Sequence, residues 1–166
     1  MRRGFILLEA SVIYILLSFA LVALLPLFIL SIRANKNTRH AVAATQLAVE
    51  LLEEVRLRRW DEQTPRPPLG IAAPSAAMGP DAGETASDKR TFDDIDDFNG
   101  WTEAAPLDPV QRPLTGFEGY ARDVSVRFVD AALNPAAGPT DYKHVTVCAR
   151  RPPMKPVCLD TLLSNR

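Results

Sequence analysis

Three kinds of hydrophobic patterning follow one another along the chain. From Phe5 to Ile32 nearly every position is apolar, and Glu9 is the single charge inside the run. A helix of that length reaches about 42 Å at 1.5 Å per residue, and a bilayer core needs only about 20 apolar residues. The second pattern is periodic. Ala41, Ala44, Ala48, Leu51, Leu52 and Val55 recur at spacings of three and four, the mark of one buried helical face. Glu53 with Arg56 and Glu54 with Arg58 are spaced to pair on the solvent side. No glycine or proline lies between Leu27 and Thr64. The pattern therefore predicts one helix from about Phe5 to about Trp60, kinked at Pro26, where a backbone bond is lost. Its first half, 5–32, is membrane-spanning, and its amphipathic half, 33–62, carries the globular part.

The third pattern is alternation. Val124, Val126 and Phe128 alternate with Asp123, Ser125 and Arg127, and Val145 and Val147 alternate with His144, Thr146 and Cys148. Period two marks half-buried strands. Turn formers fill Asn134 to Pro139, Arg151-Pro152-Pro153-Met154 turns the chain, and Val157 to Leu163 supplies a last strand. An antiparallel sheet over 114–166, packed on the helix's apolar face, buries both. The fold class is α+β.

Between helix and sheet, 63–113 reads as an irregular connector rich in proline and aspartate. Thr64 to Ser87 turns to Pro, Ala, Gly and Ser, a loop composition. The stretch Phe92-Asp93-Asp94-Ile95-Asp96-Asp97-Phe98-Asn99-Gly100-Trp101 follows. Its aspartates have the chemistry of a calcium site, but counted from Asp94 an EF-hand loop would have Phe98 at its fifth position and no glutamate at its twelfth. The favoured reading is a compact turn anchored by Phe92, Ile95, Phe98 and Trp101, with the aspartates capping backbone amides.

Charge narrows the function. The chain has 166 residues, a net charge of -1 and 2 cysteines. No global basic field points to nucleic acid, so no nucleic-acid partner is expected. Arg56, Arg58 and Arg59 complement a helix C-terminus and nearby acids. No Ser/His/Asp pattern, phosphate-cradling glycine loop or Cys/His cluster occurs, and His40 and His144 stand isolated. No enzyme activity, catalytic residue, cofactor or metal is expected.

A secretory signal would have an apolar core of roughly 7–15 residues and a small-residue cleavage site; this run is about twice that length and no such site follows before Arg33. A retained anchor fits better. Arg2 and Arg3 mark the cytoplasmic side, although Arg33, Lys36 and Arg39 follow the run and oppose them.

Gly4-Phe5-Ile6-Leu7-Leu8-Glu9 resembles the processing site of type IV pilins and type II secretion pseudopilins, with Pro26 where family members often carry a helix-kinking proline. The resemblance implies a leader over 1–4, removed by a prepilin peptidase that cuts after Gly4 and N-methylates Phe5. It implies that Glu9 neutralises a terminal amine during filament assembly. It further implies a single-pass protein of the inner membrane, N-terminus cytoplasmic and C-terminal domain periplasmic, that joins other pilin or pseudopilin subunits in a filament. Gln46 to Arg56 looks like the corresponding helix of minor pilins and I-type pseudopilins. Both a pilus and a type II secretion machine remain open, and the alternative is a signal-anchored extracytoplasmic binding domain that never assembles. In an exported domain, Cys148 and Cys158 are expected to pair. Strands hinged about Pro153 would set Cys148 opposite Cys158 and Val147 opposite Leu159, with the cysteines on the outer face beside Thr146 and Asp160.

Overall fold

The computed structural model describes residues 2–62 and 77–165, with side chains from Glu9 onward. The part of the expected connector at 63–76, the side chain of Phe5, and Met1 of the leader lie outside the described residues. Helix α1 runs Arg2–Arg56 with Pro26 inside it. The chain divides into two compact units, Met1–His40 and Ala41–Arg166, so the division falls within the amphipathic stretch rather than at its start.

α1 ends before the expected Trp60. The Arg58 amide bonds back to Val55 O at 3.1 Å, a tightened last turn. Arg59 is then taken by the aspartate-rich turn: its N–H donates to Asp93 O at 3.3 Å, and its carbonyl accepts the Ile95 N–H at 3.0 Å. Backbone groups paired in this way are not available to extend the helix.

In the second unit the last turns of α1 pack on a four-stranded antiparallel sheet, the α+β arrangement expected for a pilin-like fold. The strands are β1 (Thr102–Glu103), β2 (Ala121–Phe128), β3 (Tyr142–Arg150) and β4 (Val157–Ser164), in that spatial order. β1 lies inside 63–113, which the sequence reads as irregular; two residues are too few to show a period. The register of β3 on β4 is the expected one, with Val147 opposite Leu159, Thr146 opposite Asp160 and Cys148 opposite Cys158. Cys148 and Cys158 form a disulfide. Beside it, the Thr146 hydroxyl donates to Asp160 Oδ1 at 2.6 Å.

Ala44, Leu47, Ala48, Leu51 and Val55 are fully buried, in one cluster with Val124, Val126, Val145 and Val147. Two expectations on the helix need correction. Ala41 is exposed, and Leu47 fills the face instead. Glu53 does pair with Arg56, at 2.7 Å, but Glu54 does not pair with Arg58 on the solvent side. Glu54 is buried and bonds Lys89 Nζ at 2.8 Å, while the Arg58 guanidinium lies 5.9 Å from the centre of the Phe98 ring. Position 54 borders the apolar face at Leu51 and Val55, and the segment carrying Lys89 covers it.

Candidate functional site

The N-terminal unit presents a bare apolar helix. Every residue from 11 to 39 is exposed. The helix is long and apolar enough to cross a membrane. Two of its hydroxyls bond back to the helix: Ser18 Oγ donates to Tyr14 O at 2.7 Å, and Thr38 Oγ1 to Ala34 O at 3.0 Å. Such back-bonding lowers the cost of placing these two hydroxyls in apolar surroundings. Glu9 is exposed, one helical turn after Phe5, so the two positions share a face. Pro26, with no N–H, leaves the Val22 carbonyl without its helical donor. Arg33, Lys36 and Arg39 are exposed and make no ion pair among the described residues.

In the second unit the aspartate-rich turn is built as capped loop. Phe92, Ile95, Phe98 and Trp101 are buried, and Phe92 meets Phe98 and Trp101 edge-on, with ring centres 5.1 and 5.4 Å apart. Asp97 Oδ2 accepts the amides of Asp93 and Asp94, both at 2.9 Å. Asp94 Oδ1 accepts those of Asp96 and Asp97, at 3.0 and 3.3 Å, and a short 3-10 turn, Asp96–Phe98, results. The turn is fixed to the sheet by Asn99 Oδ1, which accepts the Val126 amide, and by the Gly100 N–H, which donates to Val124 O. Gly100 sits at φ +82°, a conformation that disfavours a side chain. Two acid groups, Glu84–Asp93–Asp97 and Glu62–Asp93–Asp94, have ligand atoms within 4.8 Å of one another. The carboxylates at their buried ends are engaged by backbone amides.

Burial pushes the Asp94 carboxyl up to about 8, helped by its hydrogen bond with Asp96 and the charges of Asp96 and Asp97. Burial, with Glu84 beside it, pushes Asp97 up to about 7. An unfolded aspartate titrates near 3.9. Between about pH 4 and pH 8 these two carboxyls therefore hold more protons in the folded unit than in the unfolded chain, and their contribution to stability falls as pH rises through that window. The slope per carboxyl is at most about 1.4 kcal/mol per pH unit. Asp94→Asn keeps an acceptor for the two amides and removes the ionisation. Thermal melts between pH 5 and pH 8 should show wild type losing stability and the variant losing distinctly less. Equal slopes would mean that Asp94 does not carry the effect.

Two buried charge networks went unread in the sequence. In the first, Glu103 accepts from Lys89 Nζ at 3.1 Å, Trp101 Nε1 at 3.1 Å, the Leu107 amide at 3.0 Å and Arg122 Nε at 2.6 Å. Arg122 continues to Leu47 O on α1, at 3.1 Å. In the second, Lys143 Nζ bonds Trp60 O and Asp96 Oδ1 and lies 4.3 Å from the centre of the Trp60 ring. Glu103, Lys89, Arg122 and Lys143 are fully or almost fully buried. A signal was present, since period two places Arg122 on the face of Val124 and Val126, and Lys143 on that of Val145 and Val147. A cavity of about 520 Å³ borders Glu103, Trp101, Asn99 and Asp97, but the Glu103 carboxylate is saturated by its four donors and Asn99 is spent on the sheet. The basic cluster at the end of α1 is likewise engaged: Arg56 with Glu53, Arg59 with Asp93, and Arg58 over Phe98.

Comparison with family models, with curated proteins and with solved structures gives no match to this chain.

Proposed function

We propose that this chain is a structural subunit, a minor pilin or pseudopilin, held in the inner membrane by α1, cleaved after Gly4 and packed through α1 into a filament. The observation that carries this reading is a single helix, Arg2–Arg56, with two opposite surroundings. From 11 to 39 it offers nothing but exposed side chains, while the face of Ala44, Leu47, Ala48, Leu51 and Val55 is buried in one core with the sheet. A helix apolar on all sides needs lipid or other helices around it. The sheet gives the membrane-distal part its own core, so the apolar half is free to exchange lipid for neighbouring subunits. The disulfide fits an oxidising compartment outside the cytoplasm. On this reading the partners are a prepilin peptidase with methyltransferase activity, fellow subunits and the membrane itself.

The mature N-terminus tests the processing step. Sequencing should find Phe5, as N-methyl-Phe5, on protein taken from the membrane. Gly4→Val should leave the full precursor, because glycine lets an extended backbone enter a peptidase groove without a side chain. An intact Met1 in wild type would replace this reading with that of a signal-anchored extracytoplasmic domain, and Phe5 at the start of the Gly4→Val protein would overturn cleavage that depends on Gly4.

A further inference from the structure

We infer that Arg33, Lys36 and Arg39 of α1 form a docking surface for anionic phospholipid headgroups, on the membrane face where the helix emerges. The inference rests on the membrane-spanning part of the reading above, not on cleavage or assembly, and it names the class of lipid.

The position fits a headgroup layer. The uncharged stretch of α1 between Glu9 and Arg33 rises about 35 Å at 1.5 Å per residue. A hydrocarbon core is roughly 30 Å thick, so with Glu9 at one surface Arg33 emerges at the other. From Arg33 to Arg39 the helix rises about 9 Å more, enough to cross a headgroup layer of about 5–8 Å. Each step of three residues turns the helix by about 300°. The three cations therefore fan over about a third of the circumference, with Lys36 in the middle, and all three are exposed.

The charge has no answer within the helix. No acid occurs between Glu9 and Glu50, and the three cations make no ion pair among the described residues. Neighbours on a helix surface lie three or four residues apart, and no carboxylate of α1 falls within that reach of them. The counterion comes from outside. The apolar stretch that ends at Ile32 is long enough to cross a membrane, so the first anions met beyond it are lipid phosphates. Guanidinium forks match phosphate oxygens with two N–H groups at a time, and a lysine ammonium adds a point charge. The long stems let the charged heads turn toward the phosphates while the helix keeps its course. A zwitterionic headgroup brings its own cation, so the surface selects a lipid of net negative charge.

Full-length protein in neutral detergent, titrated with fluorescent phosphatidylglycerol and separately with fluorescent phosphatidylcholine, tests the surface. A basic residue at an anionic surface is worth about fivefold in affinity, so wild type should prefer phosphatidylglycerol by on the order of a hundredfold at low salt. The preference should shrink as salt is added. Arg33→Gln with Lys36→Gln and Arg39→Gln should lose at least about tenfold of it, while Arg2→Gln with Arg3→Gln should keep most of it. Equal preference in wild type and the triple variant, or a loss that follows Arg2 and Arg3 instead, would overturn the surface. Soluble glycerol phosphate that competes as well as phosphatidylglycerol would assign the cations to a free phosphate ester and overturn the lipid. Wild type indifferent to lipid charge that binds polyglutamate through these residues would assign them to an acidic protein segment, with the same result. Extraction with alkaline carbonate separates the two levels of the reading. Wild type released from membranes by carbonate would overturn the span and this surface together, whereas carbonate-resistant protein with no preference for phosphatidylglycerol would overturn the surface alone.

Discussion

Glu103→Gln is expected to destabilise the globular unit by about 3–5 kcal/mol, the usual cost of removing one partner from a buried ion pair. Domains of this size are stable by only about 5–15 kcal/mol, so the variant should sit near the edge of folding at physiological temperature. The reason is the number of groups that converge on one carboxylate. Glu103 accepts from Lys89, Arg122, Trp101 and the Leu107 amide, and both cations are fully buried. A carboxamide has the same shape but offers one acceptor oxygen and turns two N–H groups toward donors. Lys89 retains Glu54 and Arg122 retains the carbonyls of Leu47 and Leu107, yet the network then carries one uncompensated charge. Glu62→Gln, at an exposed position, serves as the control and should change stability by less than about 0.5 kcal/mol. Thermal unfolding followed by circular dichroism, on full-length protein in detergent, compares the two. Equal midpoints would show that the network contributes little.

Glu9→Leu should insert in the membrane at least as well as wild type and fail to assemble. Removing a carboxylate from an apolar helix lowers the cost of insertion. The second unit is untouched, because the core of Ala44 to Val55 on β2 and β3 lies entirely within it. Assembly is different. On the proposed filament reading, cleavage would leave the amine of Phe5 a cation, and in a filament core poor in water opposite charges would attract far more strongly than in solution. Glu9 has two ways to meet such an amine: on its own chain one turn away, or on a neighbour. Only the second sets axial register between subunits, and the resemblance to pilins implies it. At about 3–5 kcal/mol per broken buried pair, the loss amounts to roughly a hundredfold or more in subunit association. Co-purification with sheared filaments or tagged partner subunits, measured beside membrane abundance, decides the matter. Normal incorporation at normal abundance would reduce Glu9 to an acid at headgroup level.

Some of this architecture follows from the sequence alone, because it depends on neighbours in the chain. The apolar run from Phe5 makes a helix wherever it is placed, since its backbone bonds are internal. The β3–β4 pairing follows from period two and a short proline turn, which together allow one register that buries the valines. The disulfide then follows from that register. The turn at Phe92 to Trp101 was legible for a similar reason: aspartates bond amides two to four residues away.

What the tertiary structure decided lies farther apart in the chain. Lys143 meets the Trp60 carbonyl across 83 residues, and Lys89 meets Glu54 across 35. Helical period puts Glu54, unlike Glu53, beside the apolar face, but only the fold brings Lys89 over it, while Glu53 pairs with Arg56 in solvent. The end of α1 was decided in the same way, by an aspartate-rich turn that takes the backbone of Arg59, and β1 exists only because β2 lies beside it. Periodicity records which face of an element is buried. Period two puts Arg122 and Lys143 on buried faces, but the partners that satisfy them, and the burial of Glu103 and Lys89 with them, come from segments that only the folded chain brings within bonding distance.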